Sequence, residues 1–322
     1  MQPFVVVRDA GPGPDRLRRS VVAIGNFDGV HRGHRAVIAT AMERAHAAHR
    51  PASVLTFEPH PRSFFQPDAP SFLLSPEAAK LRLLSATGLN GAILLTFNAA
   101  LANLSAEQFV SDILIDRLAV TGAVIGFNFH FGKDRRGTPE FLEAQGNQHG
   151  FTVDVVPPYQ LNGKRVSSGA IRDALSAGRI NEATELLGYP WFVTGQVVHG
   201  DKRGRELGYP TANLRLEPDC GLKYGVYAVR ISVGGQLYDG VANFGRRPMF
   251  DTGAVLLEIF LFDFSGDLYG AVLDCAFVGW IRPELHFDSV EELIRRMDDD
   301  CRHARSILAR FPNAFPDLGV PG

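Results

Sequence analysis

Two histidines three residues apart, His31 and His34, stand in "GNFDGVHRGH" (25–34), with Asp28 upstream and Gly25, Gly29 and Gly33 interspersed. The segment follows the apolar run "VVAIG" and precedes a stretch with apolar residues at Val37, Ile38, Ala41, Met42, Ala45 and Ala48, the 3.6-residue period of a helix. Strand, turn and helix in that order place the histidines at a helix start on the carboxyl edge of a parallel sheet, where ligands collect. Unpaired N–H groups and the positive dipole end there attract phosphate. The glycines let the backbone turn and approach a ligand closely. Imidazoles can donate hydrogen bonds to phosphate oxygens, more strongly when protonated. A zinc pair is the alternative chemistry, but no third ligand is near. Two solvated surface histidines are the plain alternative.

Other stretches carry chemistry of the same kind. "GFNFHFG" follows an apolar run, so Asn128 should reach the same sheet edge. "SSGAIR" starts a helix with Ser167 or Ser168 as N-cap, Ile171 toward the core and Arg172 toward the edge, where it could clamp a polyphosphate. "HGDKRGRELGYPTANL" (199–214) sets Gly200, Gly204 and Gly208 among Lys202, Arg203 and Arg205, a composition suited to a loop over phosphates, yet it lacks the P-loop pattern. Thr211 and Asn213 offer neutral oxygens that suit Mg²⁺ if substrate phosphates complete the set. "VLLEIFLF" (255–262) reads as a strand covered on both faces, with Glu258 in its middle. A carboxylate there must be paired, protonated or open to a cleft, as a salt bridge or as a general base.

The elements that must position these residues divide the chain in two. Apolar runs at 20–25, 52–57, 91–97, 122–126 and 151–156 alternate with helical patterns, and "SAEQFVSDILIDRL" opens on a capping-box spacing, Ser105 and Gln108. This predicts an α/β unit with a parallel sheet. From about Tyr189 the strands follow one another without helices, and Gly234-Gly235 and Ser265-Gly266 fall where two-residue hairpin turns belong. An antiparallel sheet or barrel closed by one helix at about 288–310 is predicted, with "RINEATELLGYP" (179–190) as the joint.

The chain has 322 residues, 45% hydrophobic and 21% charged, with a formal net charge of −2. That balance argues against a nucleic-acid-coating protein and leaves small phosphorylated ligands open. Three scattered cysteines, Cys220, Cys275 and Cys301, form neither a zinc ribbon nor a disulfide framework. The opening lacks signal-peptide character and no apolar run is long enough for a membrane helix, so a reduced cytoplasmic protein without membrane partners is expected.

"GNFDGVHRGH" resembles the HxGH signature of nucleotidylyltransferases, in the longer form typical of bifunctional bacterial riboflavin kinase/FMN adenylyltransferases (FAD synthetases). "TFEPHP" (56–61), "GFNFHFGKDRRG" (126–137), "VSSGAIRDAL" (166–175), "GYPTANL", "YGVYAV" (224–229), "GVANFGRRPMF" (240–250), "LEIFLFDF" and "WIRPELHF" resemble the same family, in its order, from about residue 20 to 310. The chain departs from the family pattern at Gly169 and Met249. The resemblance implies a Rossmann-like adenylyltransferase domain over 1–187 and a small β-barrel kinase domain with a C-terminal helix over 188–322. It implies that riboflavin is phosphorylated to FMN by the second domain. FMN then attacks the α-phosphorus of ATP in the first, giving FAD and pyrophosphate.

Carried over by motif, His31 and His34 would stabilise the phosphates, Arg172 would hold pyrophosphate, and Glu258 would activate the ribityl hydroxyl. Gly25, Phe27, Asp28, Gly29, Gly33, Asn128, Ser167, Ser168, Gly200, Lys202, Gly204, Gly208 and Pro210 would bind ATP. Pro59, Asn243 and Arg282 would line flavin sites, and Thr211 and Asn213 would hold Mg²⁺. The implied partners are riboflavin, FMN, FAD, ATP, ADP and pyrophosphate, with weak self-association left open. The competing readings are a nucleotidylyltransferase for another acceptor and an inactive flavin-binding regulator.

Overall fold

The apolar runs of the first half become a six-stranded parallel sheet. Its strands are β1 (Val5–Arg8), β2 (Val21–Ile24), β3 (Ala52–Glu58), β4 (Gly91–Thr96), β5 (Gly122–Gly126) and β6 (Thr152–Val156), in the order β1-β4-β3-β2-β5-β6. The five expected strands are all present; β1, only four residues long, escaped the sequence pattern. From β2 the chain adds β3 and β4 on one side, then returns to place β5 and β6 on the other. The strand order therefore switches between β2 and β5, and the histidine motif leaves the sheet at that point. The structure is a computed structural model that describes residues 3–9, 16–67, 72–199, 209–246 and 255–320.

Helices α1 (Arg32–Ala47), α2 (Pro61–Phe65), α3 (Glu77–Ser85), α4 (Ala99–Ala102), α5 (Ala106–Gln108) and α6 (Pro139–His149) connect the strands, with a small hairpin of β7 (Gln160–Leu161) and β8 (Lys164–Arg165). The Ser105–Gln108 capping box forms, and beyond it the backbone widens into a π-helical stretch, Phe109–Arg117. One face of the sheet (Val22, Ile24, Leu55, Phe57, Ile93, Leu95, Ala123, Ile125) packs on Phe109, Val110, Ile113, Leu114 and Leu142. Helix α1 runs along β2, β3, β5 and β6 and buries Val37, Ile38, Ala41 and Ala45. Both faces are covered, which is why these strands are apolar throughout.

The second half is a closed antiparallel barrel of β9 (Phe192–Val198), β10 (Thr211–Arg215), β11 (Gly225–Val233), β12 (Gln236–Arg246), β13 (Val255–Leu261) and β14 (Val272–Arg282), in the order β10-β13-β12-β11-β14-β9. Helices α7 (Ser168–Ser176) and α8 (Ile180–Leu187) precede it, and α9 (Val290–Arg310) follows and packs on β11, β12 and β14. By packing, residues 1–167 with 317–322 form one unit and 168–316 the other, so the predicted joint at 179–190 belongs with the barrel. Gly234 and Gly235, both at positive φ, make the expected hairpin turn between β11 and β12. Ser265-Gly266 does not: β13 bonds to β10 and β12, while β14 bonds to β11 and β9. The chain must cross to a different place in the barrel, and a longer connection over 262–271 does so.

Strand β13 also corrects the expectation of burial on both faces. Val255, Leu257, Ile259 and Leu261 fill the barrel, whereas Leu256, Glu258 and Phe260 point outward and are half-buried. Helix α9 covers part of this outer wall and is fixed by two buried arginines. Arg282 donates from Nε and Nη2 to Asp300 at 2.6–3.0 Å, both residues being under 10% exposed. Arg230 donates to the carbonyls of Phe311 and Leu308 at the other end of the helix and to Asp239. Removing one partner of a buried pair strands the other charge, so Asp300→Ala should destabilise the barrel unit by roughly 3–5 kcal/mol. Both tryptophans, Trp191 and Trp280, lie in that unit, so their fluorescence in a urea titration reports it. A loss below about 1 kcal/mol, typical of an exposed pair, would contradict the assignment.

Candidate active sites

The turn after β2 is built around the His31 imidazole. His31 is the N-cap of α1, and its Nδ1 accepts the backbone N–H of His34 at 3.2 Å. An accepting Nδ1 carries no proton, so the ring is the neutral tautomer that donates from Nε2. The folded-back ring lies over Gly33, where a Cβ would stand 3.2 Å from its Cε1 and Nδ1. A side chain at this position would press on the imidazole and make it give by a few tenths of an ångström. The His34 ring stacks on that of His31 at 3.6 Å with 13° between planes. Burial first, then the neighbouring His31 and Lys80, push the His34 pKa well below its usual 6.5. His34 is therefore neutral at neutral pH and donates as a neutral ring, since two stacked imidazolium rings would repel. Because its folded pKa is depressed, the stability tied to this neutrality is present above pH about 6.5 and falls away below it.

The residues around the pair hold it in place. Phe27, 1% exposed and at φ +50°, packs steeply against His34 at 5.4 Å between ring centroids and so supports the imidazole. Asp28, 3% exposed, accepts from the Ser75 and Leu74 N–H groups, and Gly29 N–H donates to Ser75 Oγ at 2.7 Å. Its carboxylate thereby ties the turn to the start of α3. Gly25 has only ordinary contact around it, 3.5 Å to the Phe27 ring. Lys80 of α3 is buried and ion-paired with Glu58 at the end of β3.

The neighbouring strand ends bring further predicted residues to this edge. Asn128 is exposed in the turn that follows β5, the strand beside β2. Pro59 follows a cis peptide bond after Glu58 and is exposed. Close to it in sequence, Phe64 and Phe65 pack edge-to-face on Phe97. Helix α7 starts at Ser168, which puts Ser167 at the position before it, and Ile171 is fully buried as expected. Arg172 is half-buried on α7, in the barrel unit.

On the barrel, antiparallel register lines up the second set. Asn213 of β10 is opposite Glu258 of β13, which is opposite Asn243 of β12; Asn243 is opposite Val226 of β11, and Val226 opposite Arg282 of β14. Directly paired residues share a face of a sheet, so five strands contribute to one row on the outer wall. A cavity of about 210 Å³ is lined there by Thr211, Asn243, Glu258, Arg282 and Glu284, with Asp300 and Cys301 from α9. A second cavity of about 300 Å³ is lined by Pro210, Thr211, Ala212 and residues 264–269. Thr211 borders both. Gly200, Lys202, Gly204, Gly208 and Met249 lie outside the described residues.

The Asn213 side chain is 5% exposed, and its Oδ1 has no hydrogen-bond partner among the described residues. A buried neutral oxygen in need of a partner, two residues from a hydroxyl on the same face, fits a hard divalent cation. Among the described residues no cluster of three or more His, Cys, Asp or Glu makes a protein-only metal site, so such an ion would take its remaining ligands from substrate. Sequence reasoning missed Ser75, Lys80, Glu284 and Asp300. Ser75, Lys80 and Asp300 come from loops and helices that carry no motif of their own, whereas Glu284 lay in view within "WIRPELHF".

A helix start at the switch point of a parallel sheet and a polar row on a closed barrel define a two-module enzyme of phosphate chemistry. The FAD synthetase family model matches residues 14–170 and the riboflavin kinase family model residues 187–308. The chain belongs to the bifunctional riboflavin kinase/FMN adenylyltransferase family. A member from Pseudomonas fluorescens is 43% identical over 91% of this chain and 94% of its own, and one from Escherichia coli K12 is 37% identical over 89% and 92%. The crystal structure of a Streptococcus pneumoniae protein described as a macrolide-efflux protein is 32% identical, with a TM-score of 0.84 over 94% of this chain and 99% of that one. No helix among the described residues is long and apolar enough to cross a membrane.

Gly33→Ala isolates the first site. The added Cβ makes the His31 ring give by a few tenths of an ångström, so adenylyl transfer from supplied FMN should fall, by up to about tenfold, while FMN formation holds. Unchanged adenylyl transfer would show that the ring's position is unimportant.

Proposed function

We propose the following division of labour for this bifunctional enzyme, which phosphorylates riboflavin to FMN and adenylylates FMN to FAD. We draw the boundary between modules at 187/188, next to the start of the second matched stretch at residue 187, whereas packing alone divides the chain at 167/168. At the sheet edge the His31 and His34 rings donate to α- and β-phosphate oxygens of ATP as neutral imidazoles, with the α1 N-terminus and the Gly29–Gly33 backbone behind them. A phosphate oxygen of FMN forms a bond to the α-phosphorus, and the bond to the bridging oxygen breaks to release pyrophosphate. Arg172 holds that product, a role supported by its motif. Ser167, Ser168 and Asn128 contact the nucleotide, and Pro59 contacts the flavin. The step needs positioning and charge stabilisation and no covalent help.

At the barrel, Glu258 takes the proton of the terminal ribityl hydroxyl, whose oxygen then bonds to the γ-phosphorus as ADP leaves. Thr211, bordering both cavities, is where nucleotide and acceptor meet, with Pro210 on the nucleotide side and Asn243 and Arg282 on the acceptor side. A phosphate-binding role for the stretch 200–208 is supported by its glycine- and cation-rich composition. Thr211 and Asn213 would hold Mg²⁺, which supplies charge neutralisation of the ATP phosphates when bound. The setting is a reducing cytoplasm, supported by three free cysteines. The observation that carries this reading is the cross-strand pairing of Glu258 with Asn213 on one barrel and the imidazole-capped helix at the sheet edge. Either module can be silenced separately. Glu258→Gln should lower FMN formation at least about a hundredfold while supplied FMN still becomes FAD. The pair His31→Ala and His34→Ala should accumulate FMN from riboflavin, ATP and Mg²⁺. A variant that loses both activities, or neither, by flavin chromatography would contradict the division.

A further inference from the structure

The acceptor cavity of the barrel holds a second carboxylate. Glu284, two residues beyond the end of β14, lines the cavity with Asn243, Glu258 and Arg282. The Asn243 side chain hydrogen-bonds to its carboxylate. That carboxylate also rests on β12 at Gly245, where a Cβ would stand 2.0 Å from Oε1. Gly245 lies two residues from Asn243, on the same face of the strand. A backbone notch and an amide therefore grip one carboxylate beside the row that contains Glu258.

We propose that Glu284 is a positioning residue for phosphoryl transfer, fixing which end of the Asn243 amide faces the acceptor beside Glu258. The inference rests on the reading of Glu258 as the base. An ionised carboxylate only accepts hydrogen bonds, so Asn243 must turn its NH₂ toward Glu284. Its carbonyl oxygen is then left to accept from a hydroxyl or N–H of the acceptor, a preference for a polyol or imide donor that Asn243 alone would not enforce. The groups facing Glu284 are Glu258 from β13, Arg282 from β14, Tyr209 ahead of β10, and Asp300 and Cys301 from α9. Burial first, and Glu258 as well, raise the Glu284 pKa against the pull of Asn243 and Arg282. Arg282 is engaged by Asp300, which limits its hold on Glu284.

Glu284→Gln keeps the shape but can donate as well as accept, so the Asn243 amide is no longer forced one way. FMN formation should show kcat reduced about tenfold with the KM for ATP unchanged. FAD formation from supplied FMN should be unaffected. Gly245→Ala keeps the charge but displaces it, and should reproduce the loss in kcat. It carries the test if Glu284→Gln melts early by tryptophan fluorescence. Wild-type kcat, or a raised KM for ATP, in a folded Glu284→Gln, or wild-type kcat in Gly245→Ala where that variant carries the test, overturns the proposal. Normal FMN formation by Glu258→Gln would instead overturn the underlying reading of the base.

Discussion

The hydrogen bond from the His34 backbone N–H to the His31 ring is the constraint from which the first site follows. A helix start leaves N–H groups without partners, and a side chain commonly satisfies one of them. Here the cap is an imidazole instead of a hydroxyl or carboxylate. By spending Nδ1 on the cap, the ring is fixed in place and in tautomer, and its donor is directed away from the helix. The same ring crowds any side chain at Gly33 and offers a flat surface on which His34 stacks. Burial of Phe27 and the clamp of Asp28 on Ser75 then hold the strained turn, with Phe27, Gly29 and Val30 all at positive φ. Strain held by surrounding packing in this way is characteristic of sites that must be preorganised.

The two sites reach phosphate chemistry by different physical routes. In the proposed mechanism the sheet edge relies mainly on neutral donors and a helix terminus to stabilise charge, with Arg172 as the one cation assigned to it. The barrel uses register. Cross-strand pairing fixes Asn213, Glu258 and Asn243 side by side on the outer wall, and α9, held by Arg282 and Asp300, roofs the acceptor side. Glu258 is thereby kept out of the dry interior, where a carboxylate would be costly, yet under enough cover to suit the base role proposed for it.

Much of this was legible in the sequence because the signals are local. The period of "RAVIATAMERAHAAH", the capping box at Ser105 and the glycine pair at 234–235 each report a structure made within a few residues. The apolar run around Glu258 was ambiguous, since continuous hydrophobicity looks the same in a doubly covered sheet as in a barrel wall under a helix. Ser265-Gly266 was misread because a turn signal does not say which strands it joins. The support of Asp28 by Ser75, the neutrality of His34 and the grip on Glu284 depend on partners far away in the chain. No local pattern encodes them.

The central claim is that His31 caps α1 through Nδ1 and presents Nε2–H, with His34 neutral beside it. Nitrogen-15 NMR of selectively labelled full-length protein reads both rings directly. At pH 6.5, where an ordinary histidine is half charged, the account predicts an unprotonated Nδ1 and protonated Nε2 for His31, and no imidazolium signal for His34. A protonated Nδ1 on His31, or a His34 ring titrating near 6.5, would contradict it.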